Sequence, residues 1–563
     1  MTAQTAANAG PQRRDRWRQR AVLAACAFAL WLPFADKPFH VDDPMFLWTA
    51  QQVRVSPVDF YGFDVNWTGT SEPMWRANQN PPGVGYVLAG VAFVLGWSEL
   101  GLHLGMLVPF AALVLGVYEL ARALRAPPLL ASLLLVAMPG VLASASSIMA
   151  DVLATALWCW SVVLWLQGIE RRSLPRLLGA GLLAGACIAT KYVGLGLLPL
   201  FLVHGLVAMR RPGAWVATPV VAALLTIGLR QLMVVQYGHD PLLAAGAYAT
   251  DDASRADGPL LRSFLSLSFL GGACALVLLL GPWLWSRRQI AGWAAVATGL
   301  ALGLGFGPSF LRTPLPVSPG LRWWLIAHIA LFVVAGLQLV WLTARGMLRE
   351  RSADRLLVGC WIAGILLFAS LVNWTTNVRA LLPATPAVAI VLAWELRARW
   401  PAAWWRIGAW PVAAGVLLSL LVAQGDYASA RATRAAAEDL AATAESWRGS
   451  SRFLGSWGFQ EYMSAHGVRK LDFRHDRLES GALIIVPKFG SNNVRPPAAA
   501  TRLLDVRHYP VTALAATHDP SRGASFYCSD FGPLPYALAP PGPDTYLLFE
   551  LIRPLRLRYR ADE

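Results

Sequence analysis

Apolar runs separated by short polar breaks dominate this chain and confine it to one kind of fold. The first is Ala21 to Ala35, and the others run approximately over 83–97, 102–120, 128–148, 151–168, 176–190, 193–209, 214–236, 264–286, 290–311, 323–343, 356–373, 380–396 and 407–424. A helix of about 17–25 apolar residues crosses the hydrocarbon core of a bilayer, and a helix satisfies its own backbone there. With 13 or 14 candidate segments, the expectation is a mainly α fold, a polytopic transmembrane helical bundle of about 11–14 spans. The first run is short for a span and follows a cluster of arginines. No small-x-small cleavage site follows it, so an uncleaved first helix with its N-terminus inside is expected rather than a signal peptide.

The formal charge of +15 raises the question of nucleic acid. Its distribution answers that question. Lysines and arginines fall in short clusters between apolar runs, such as Arg122 and Arg125, Arg171 and Arg172, Arg210 and Arg211, and Arg345 to Arg355. This is the pattern of cytoplasmic loops under the positive-inside rule, and no nucleic-acid partner is expected. Five of the six cysteines lie in apolar runs and only Cys528 lies in the polar tail. Neither a disulfide framework nor a CxxC metal motif is present.

The basic loops set the expected sidedness. Residues 37–82 form a first outer loop that contains Pro44, Pro57, Pro73, Pro81 and Pro82, which exclude long helices. Within it, Met45 to Val55 has near-helical apolar spacing and suits a short interfacial helix. Thr190-Lys191-Tyr192 is the outer turn of a hairpin, and 237–262, 312–322 and 373–379 also face out. Residues 83–120 are long enough for two spans, yet the flanking signals demand an odd number of crossings. One segment there must be tilted, interfacial or re-entrant.

Composition changes at Asp426. Residues 1–425 read as the transmembrane module and 426–563 as a soluble, outward-facing α/β domain with enough chain for a small core. In that domain 426–447 reads as an Ala-rich helix and Phe453-Leu454 as a short strand. Trp457 to Ala465 reads as a helix, and Ala482 to Pro487 and Tyr546 to Leu551 as strands.

The candidate chemistry lies on the expected outer face. Asp42 and Asp43 follow the first helix, Asp151 opens a later segment, Lys191 sits at a hairpin turn, and Arg379 heads the run 380–396. Arg76 and Asn80 precede and enter the Pro81-Pro82 turn, and His239 opens the 237–262 loop. A carboxylate there can act as a general base or hold a divalent cation. Arginine and lysine suit a phosphate leaving group, one as a bidentate fork and the other as a point charge. Each residue also has a purely structural reading. Asp42-Asp43-Pro44 is a helix-start signal, Asp151 could cap its helix, Lys191 could snorkel, and Arg379 could anchor a helix at the headgroups. Their common side of the membrane favours the joint, chemical reading. An ion or lipid transporter using the same carboxylates is the second reading, although the chain shows no related halves.

The motif order HVDDPMFLWTAQQV, NPPGVGYVLAG, MADVLATALW, ATKYVGLGLLPL and NVRALLPATPAVAI, followed by DYASARA, RFLGSWGFQEYMSAHGV and ALIIVP in the tail, resembles membrane glycosyltransferases of the GT-C fold. The branch is the glycosyltransferase family 39-like one, which contains protein O-mannosyltransferases and the lipid A aminoarabinose transferase. The resemblance implies a polyprenyl-phosphate sugar donor and transfer on the periplasmic face to a lipid, glycan or protein acceptor. It implies a base or metal ligand at Asp42 or Asp43, a second carboxylate at Asp151, and donor-phosphate contacts at Lys191 and Arg379. Arg76, Asn80, Tyr192 and His239 are candidate substrate contacts. No cofactor is required, and a divalent cation (Mg, Mn or Zn) on Asp42, Asp43 and Asp151 is compatible with the chemistry. Two departures stand out: Asp-Asp occurs where many relatives have Asp-Glu, and Arg379-Ala380 where Arg-Tyr is common. The Ala-, Arg- and Leu-rich composition points to a GC-rich bacterium. The expected location is therefore the bacterial inner membrane, with the active site and tail periplasmic.

Overall fold

The computed structural model describes residues 3–78, 80–250, 258–306, 322–401, 404–490 and 496–556. Residues 312–321 of the expected outer loop 312–322, residues 251–257 of the 237–262 loop, and the end of the run 290–311 lie outside them. Among the described residues nine helices are long and apolar enough to cross a membrane, or ten if one bent pair forms a single span. Two shorter apolar helices, Gly83–Leu95 and Leu174–Thr190, accompany them. This is a multi-pass membrane protein, mainly helical, with a strand-containing C-terminal region.

The bent pair is the run read as one segment over 128–148. It divides into Pro128–Val136 and Pro139–Ala145 at an angle of 69°. Pro139 cannot continue the first helix's hydrogen-bond ladder, so the chain restarts there in a new direction. The second half packs against the long helix Trp404–Ser446.

The ends of the helices sort the charges. Arg20 and Arg122 both pair with Glu119, Arg345 pairs with Glu395, and Arg397 donates to the Arg125 carbonyl. These basic clusters share one end of the bundle. The C-terminal region covers the other end: Ser268 donates to the Pro533 carbonyl and Tyr536 to that of Gly272, each at 3.0 Å.

That polarity resolves residues 83–120. Helix Glu99–Ala123 begins beside the C-terminal region, where Glu99 accepts from Arg434 and Tyr462. It ends at the basic face with Arg122, so it runs from one end of the bundle to the other. Helix Gly83–Leu95 starts against the Ala189 carbonyl, so close that a Cβ on Gly83 would lie 2.5 Å from it. Its other end leads through a three-residue link to Glu99, on the same side of the bundle. With 13 residues, it lies along that side, packed on Asp43–Val55, and Arg54 covers the Phe93 ring at 4.9 Å. The short helix expected over Met45 to Val55 is thus present, with a second one packed on it.

The expected division at residues 425 and 426 is not a break in the backbone. Helix Trp404–Ser446 runs through it for 43 residues, because the Ala-rich segment after Asp426 continues the helical pattern of the apolar run before it. The C-terminal sheet has four strands, ordered Ser451–Phe453, Leu483–Pro487, Asp544–Leu551 and Thr501–Tyr509. The first pair is parallel and the other two are antiparallel. Leu483–Pro487 is buried along its whole length. Helix Trp457–Ala465 packs on the sheet through Phe459, whose ring lies 4.7 Å from that of Tyr546. Lys470 ties this region to the first loop by donating to the Trp67 carbonyl, Ser456 Oγ and Gln460 Oε1, each at 2.9 Å.

Candidate active site

The turn before the first loop helix creates the first part of the site. Val41 has φ 47°, a left-handed conformation unusual for a β-branched residue. The kink is held by Asp43, which is fully buried. Asp43 Oδ2 accepts from the His40 backbone N–H at 2.8 Å and Oδ1 from that of Ile148 at 3.1 Å. Ile148 lies two residues before the start of helix Ala150–Glu170, which carries Asp151 in its first turn. Asp43 therefore fixes the turn bearing Asp42 to the start of the helix bearing Asp151. Burial pushes the Asp43 carboxyl up to about 7.

Asp42 occupies the N-cap position of helix Asp43–Val55, but its side chain makes no capping hydrogen bond. It pairs instead with Arg379 at 2.8 Å. Arg379 reaches this point because Asn377 caps the short helix Val378–Leu381, accepting from the Ala380 N–H at 2.7 Å. Its Nη1 also approaches Met149 Sδ at 2.9 Å, and its buried Nε meets no acceptor among the described residues. Lys191 ends helix Leu174–Thr190 in extended backbone and pairs with Asp151. The turn after it is tight, since a Cβ on Gly194 would lie 2.8 Å from the Ile188 nitrogen. Arg379 is within electrostatic reach of Asp151 as well, so the two ion pairs form one cluster.

These four side chains line one end of a cavity of about 670 Å³, together with Asn80, Tyr192, Asn373 and Trp374. Much of the remaining lining is apolar: Trp158, Leu200, Val203, Trp361, Ile365 and Phe368, with the Trp158 and Trp361 rings stacked at 5.8 Å. Tyr248 touches Trp374 edge-on at 5.7 Å beside the charged end. The segment Phe368–Val372 is a π-helical turn, a departure from regular helix that recurs at functional sites. The cavity suits an amphiphile, with an anionic head at the cations and an apolar chain along the walls.

The structure brings Asp42, Asp151, Lys191, Arg379, Asn80 and Tyr192 together and leaves three candidates outside. Asp43 lies behind the site with both oxygens turned to backbone. Arg76 is 70% exposed and pairs with Glu72 at 3.7 Å. His239 packs against Trp75, the rings tilted at 39° with centroids 4.6 Å apart. The expected divalent cation finds a poor ligand set: Asp43 faces backbone, Asp42 and Asp151 are each engaged by a cation, and among the described residues no three His, Cys, Asp or Glu side chains gather around a metal position. Sequence reasoning missed a neighbouring buried group, Lys37, His40, Asp426 and Tyr527. Its signal was the Lys-Pro-Phe-His stretch before the aspartates and the lone Asp426 at the end of an apolar run.

Comparison with known proteins gives one partial family match and several distant structural likenesses. Residues 79–237, which include Asn80, Asp151, Lys191 and Tyr192, match the family model of the dolichyl-phosphate-mannose-protein mannosyltransferases. Among solved structures, the archaeal oligosaccharyltransferase AglB from Archaeoglobus fulgidus, in complex with an inhibitory peptide and a dolichol-phosphate, is 13% identical with a TM-score of 0.48. That match covers 81% of this chain and 64% of that one. ArnT from Cupriavidus metallidurans bound to undecaprenyl phosphate is 16% identical with a TM-score of 0.42, covering 83% of this chain and 93% of that one. The mycobacterial arabinofuranosyltransferase AftD is 15% identical with a TM-score of 0.37, covering 96% of this chain and 40% of that one. The chain thus spans under two thirds of the length of the archaeal oligosaccharyltransferases it matches. No curated protein matches the sequence.

Proposed function

We propose that this protein is an inverting membrane glycosyltransferase that takes a sugar from a polyprenyl-phosphate donor and transfers it to an acceptor on the periplasmic side of a bacterial inner membrane. The observation that carries this reading is the cavity: two carboxylates and two cations at one end, apolar walls beyond them. The polyprenyl chain lies along those walls, and its phosphate meets Arg379 and Lys191. Arg379 offers a fork of donors and Lys191 a point charge, and both stabilise the charge that grows on the leaving phosphate.

Asp42 is the general base. It takes the proton of an acceptor hydroxyl or amine as that atom attacks C1 of the sugar from the face opposite the phosphate. The C1–acceptor bond forms, the C1–oxygen bond to phosphate breaks, and the electron pair leaves with polyprenyl phosphate. Asp151 holds Lys191 and orients the acceptor, and Asn80 and Tyr192 contact the sugar. Asp43 supports the two carboxylates from behind. The acceptor is a lipid, glycan or protein of the cell envelope.

The test is release of polyprenyl phosphate from a labelled polyprenyl-phosphate sugar by the purified protein with envelope extract as acceptor source. Release that Asp42→Asn abolishes supports the reading. Movement of the lipid across the bilayer without cleavage of the sugar–phosphate bond refutes it in favour of transport.

A further inference from the structure

Behind the charged end of the cavity lies a second cluster that does not line it. Lys37 and Asp426 form an ion pair of 2.5 Å with both side chains fully buried. Asp426 also accepts from the Tyr527 hydroxyl at 2.7 Å and from Thr517 Oγ1 at 2.9 Å. His40 Nε2 lies 3.6 Å from its other oxygen, and the His40 ring meets Tyr527 edge-on at 5.6 Å. The cluster joins three distant parts of the chain: the first loop, the long helix and the C-terminal tail.

The tail residues in this cluster reach the site directly. The face of the Tyr527 ring lies 5.4 Å from the Arg379 guanidinium carbon. The preceding residue, Phe526, accepts the backbone N–H of Val378 at 3.2 Å. The next segment continues the clamp, with the Ser529 N–H donating to the Thr376 carbonyl at 2.8 Å. Consecutive tail residues thus hold the backbone before Arg379 and face its side chain. A burial of the tail alone would not need a charged hub, since apolar side chains of similar volume generally serve stability as well as a buried ion pair. The hub does what an apolar contact cannot: the hydroxyl bond to Asp426 fixes the rotation of the Tyr527 ring, so its electron-rich face points at the cation.

We infer that Tyr527, oriented by the Lys37–Asp426 pair, is a positioning residue for Arg379, so that the C-terminal tail sets the geometry in which the donor phosphate is met. This rests on the glycosyltransferase reading above. Lys37 and His40 precede Asp42 in the same loop, so the one hub braces both members of the Asp42–Arg379 pair from behind.

The experiment measures the Kd of the full-length protein for undecaprenyl phosphate in nanodiscs, with thermal stability recorded in parallel. Tyr527→Leu removes ring and hydroxyl and is expected to weaken binding roughly tenfold, in line with the loss of a desolvated cation–π contact. Tyr527→Phe keeps the ring and is expected to recover most of that loss. Tyr536→Phe is the matched control: it removes a buried tyrosine hydrogen bond in the same tail, to Gly272, and should lower stability without changing Kd. Unchanged affinity in a folded Tyr527→Leu protein overturns the inference, as does an equal change in Tyr536→Phe. Should Tyr527→Leu not fold, Tyr527→Phe, which preserves volume, decides: about twofold to threefold weaker binding supports the inference and none overturns it. Failure of the unmodified protein to bind undecaprenyl phosphate overturns the functional reading and this inference together, whereas binding indifferent to Tyr527 overturns this inference alone.

Discussion

Replacing Asp42 with Asn should push binding and turnover in opposite directions. In the structure Arg379 is held by Asp42 at 2.8 Å, so an incoming phosphate must displace a carboxylate from the cation it needs. Two unit charges about 4 Å apart attract by about 4 kcal/mol at an effective dielectric near 20, before desolvation is set against it. Hydrogen bonds to charged groups are worth about 1.5–3 kcal/mol net. The Asp42 side chain is 30% exposed, which screens the pair, so about 1–2 kcal/mol is the reasonable size of the competition. Asp42→Asn removes the negative charge and should tighten undecaprenyl phosphate binding about 5- to 30-fold. The same substitution removes the base and should slow transfer by about 10²–10⁴-fold. Equilibrium binding to the purified protein and single-turnover transfer from a labelled donor measure the two effects separately. Weaker phosphate binding in Asp42→Asn refutes the competition, and undiminished transfer refutes the assignment of the base.

Lys191→Met leaves Asp151, only 4% exposed, without its main counterion. It should lower stability by about 3 kcal/mol and abolish donor binding, while Lys191→Met with Asp151→Asn should restore the melting temperature and not the binding. Asp43 makes a pH-dependent contribution: its carboxyl is raised from 3.8 to about 7 by burial, so its stabilisation is complete below about pH 4 and is lost as pH rises towards 7. The difference in melting temperature between Asp43→Asn and the unmodified protein should therefore change across pH 4–7 and level off above it. A flat difference across that window contradicts the buried, protonated carboxyl. Gly364 lines the cavity and a Cβ there meets nothing within 4 Å. Gly364→Leu should keep or raise helix stability by up to about 1 kcal/mol. It should weaken binding of undecaprenyl phosphate at least tenfold (an estimate from filling part of the chain groove) and spare a two-isoprene phosphate. Equal effects on both chain lengths would show that the groove does not hold the chain.

Charged residues at the ends of apolar runs stood out in the sequence because they are costly there, and this made Asp42, Asp151, Lys191 and Arg379 legible. Their pairing was not, because Asp42 and Arg379 lie far apart in the sequence and meet only in the folded bundle. The two aspartates could not be separated either. Their division of labour depends on the left-handed backbone at Val41, which turns one side chain to the cavity and the other to the His40 and Ile148 amides. In the sequence Lys37 is only the first residue of the outer loop 37–82 and Asp426 the first residue of a new domain; both are buried, because the tail folds back over the bundle. Helix Gly83–Leu95 carries an apolar sequence without the length to cross, so hydropathy alone could not distinguish it from a span. Strand Thr501–Tyr509 is exposed along most of its length and lacks the alternation that marks a half-buried strand.

The uninterrupted helix Trp404–Ser446 has a mechanical consequence. At 1.5 Å per residue it is a rod of about 65 Å, with one part embedded among the membrane helices and the other carrying the sheet. A domain on such a mast cannot swing on a hinge as one on a flexible tether does; tilting it would strain the seat of the rod beside Asp426. On the proposed glycosyltransferase reading, an acceptor therefore travels to a cleft of fixed shape, and whatever selects one acceptor over another is built into that standing wall.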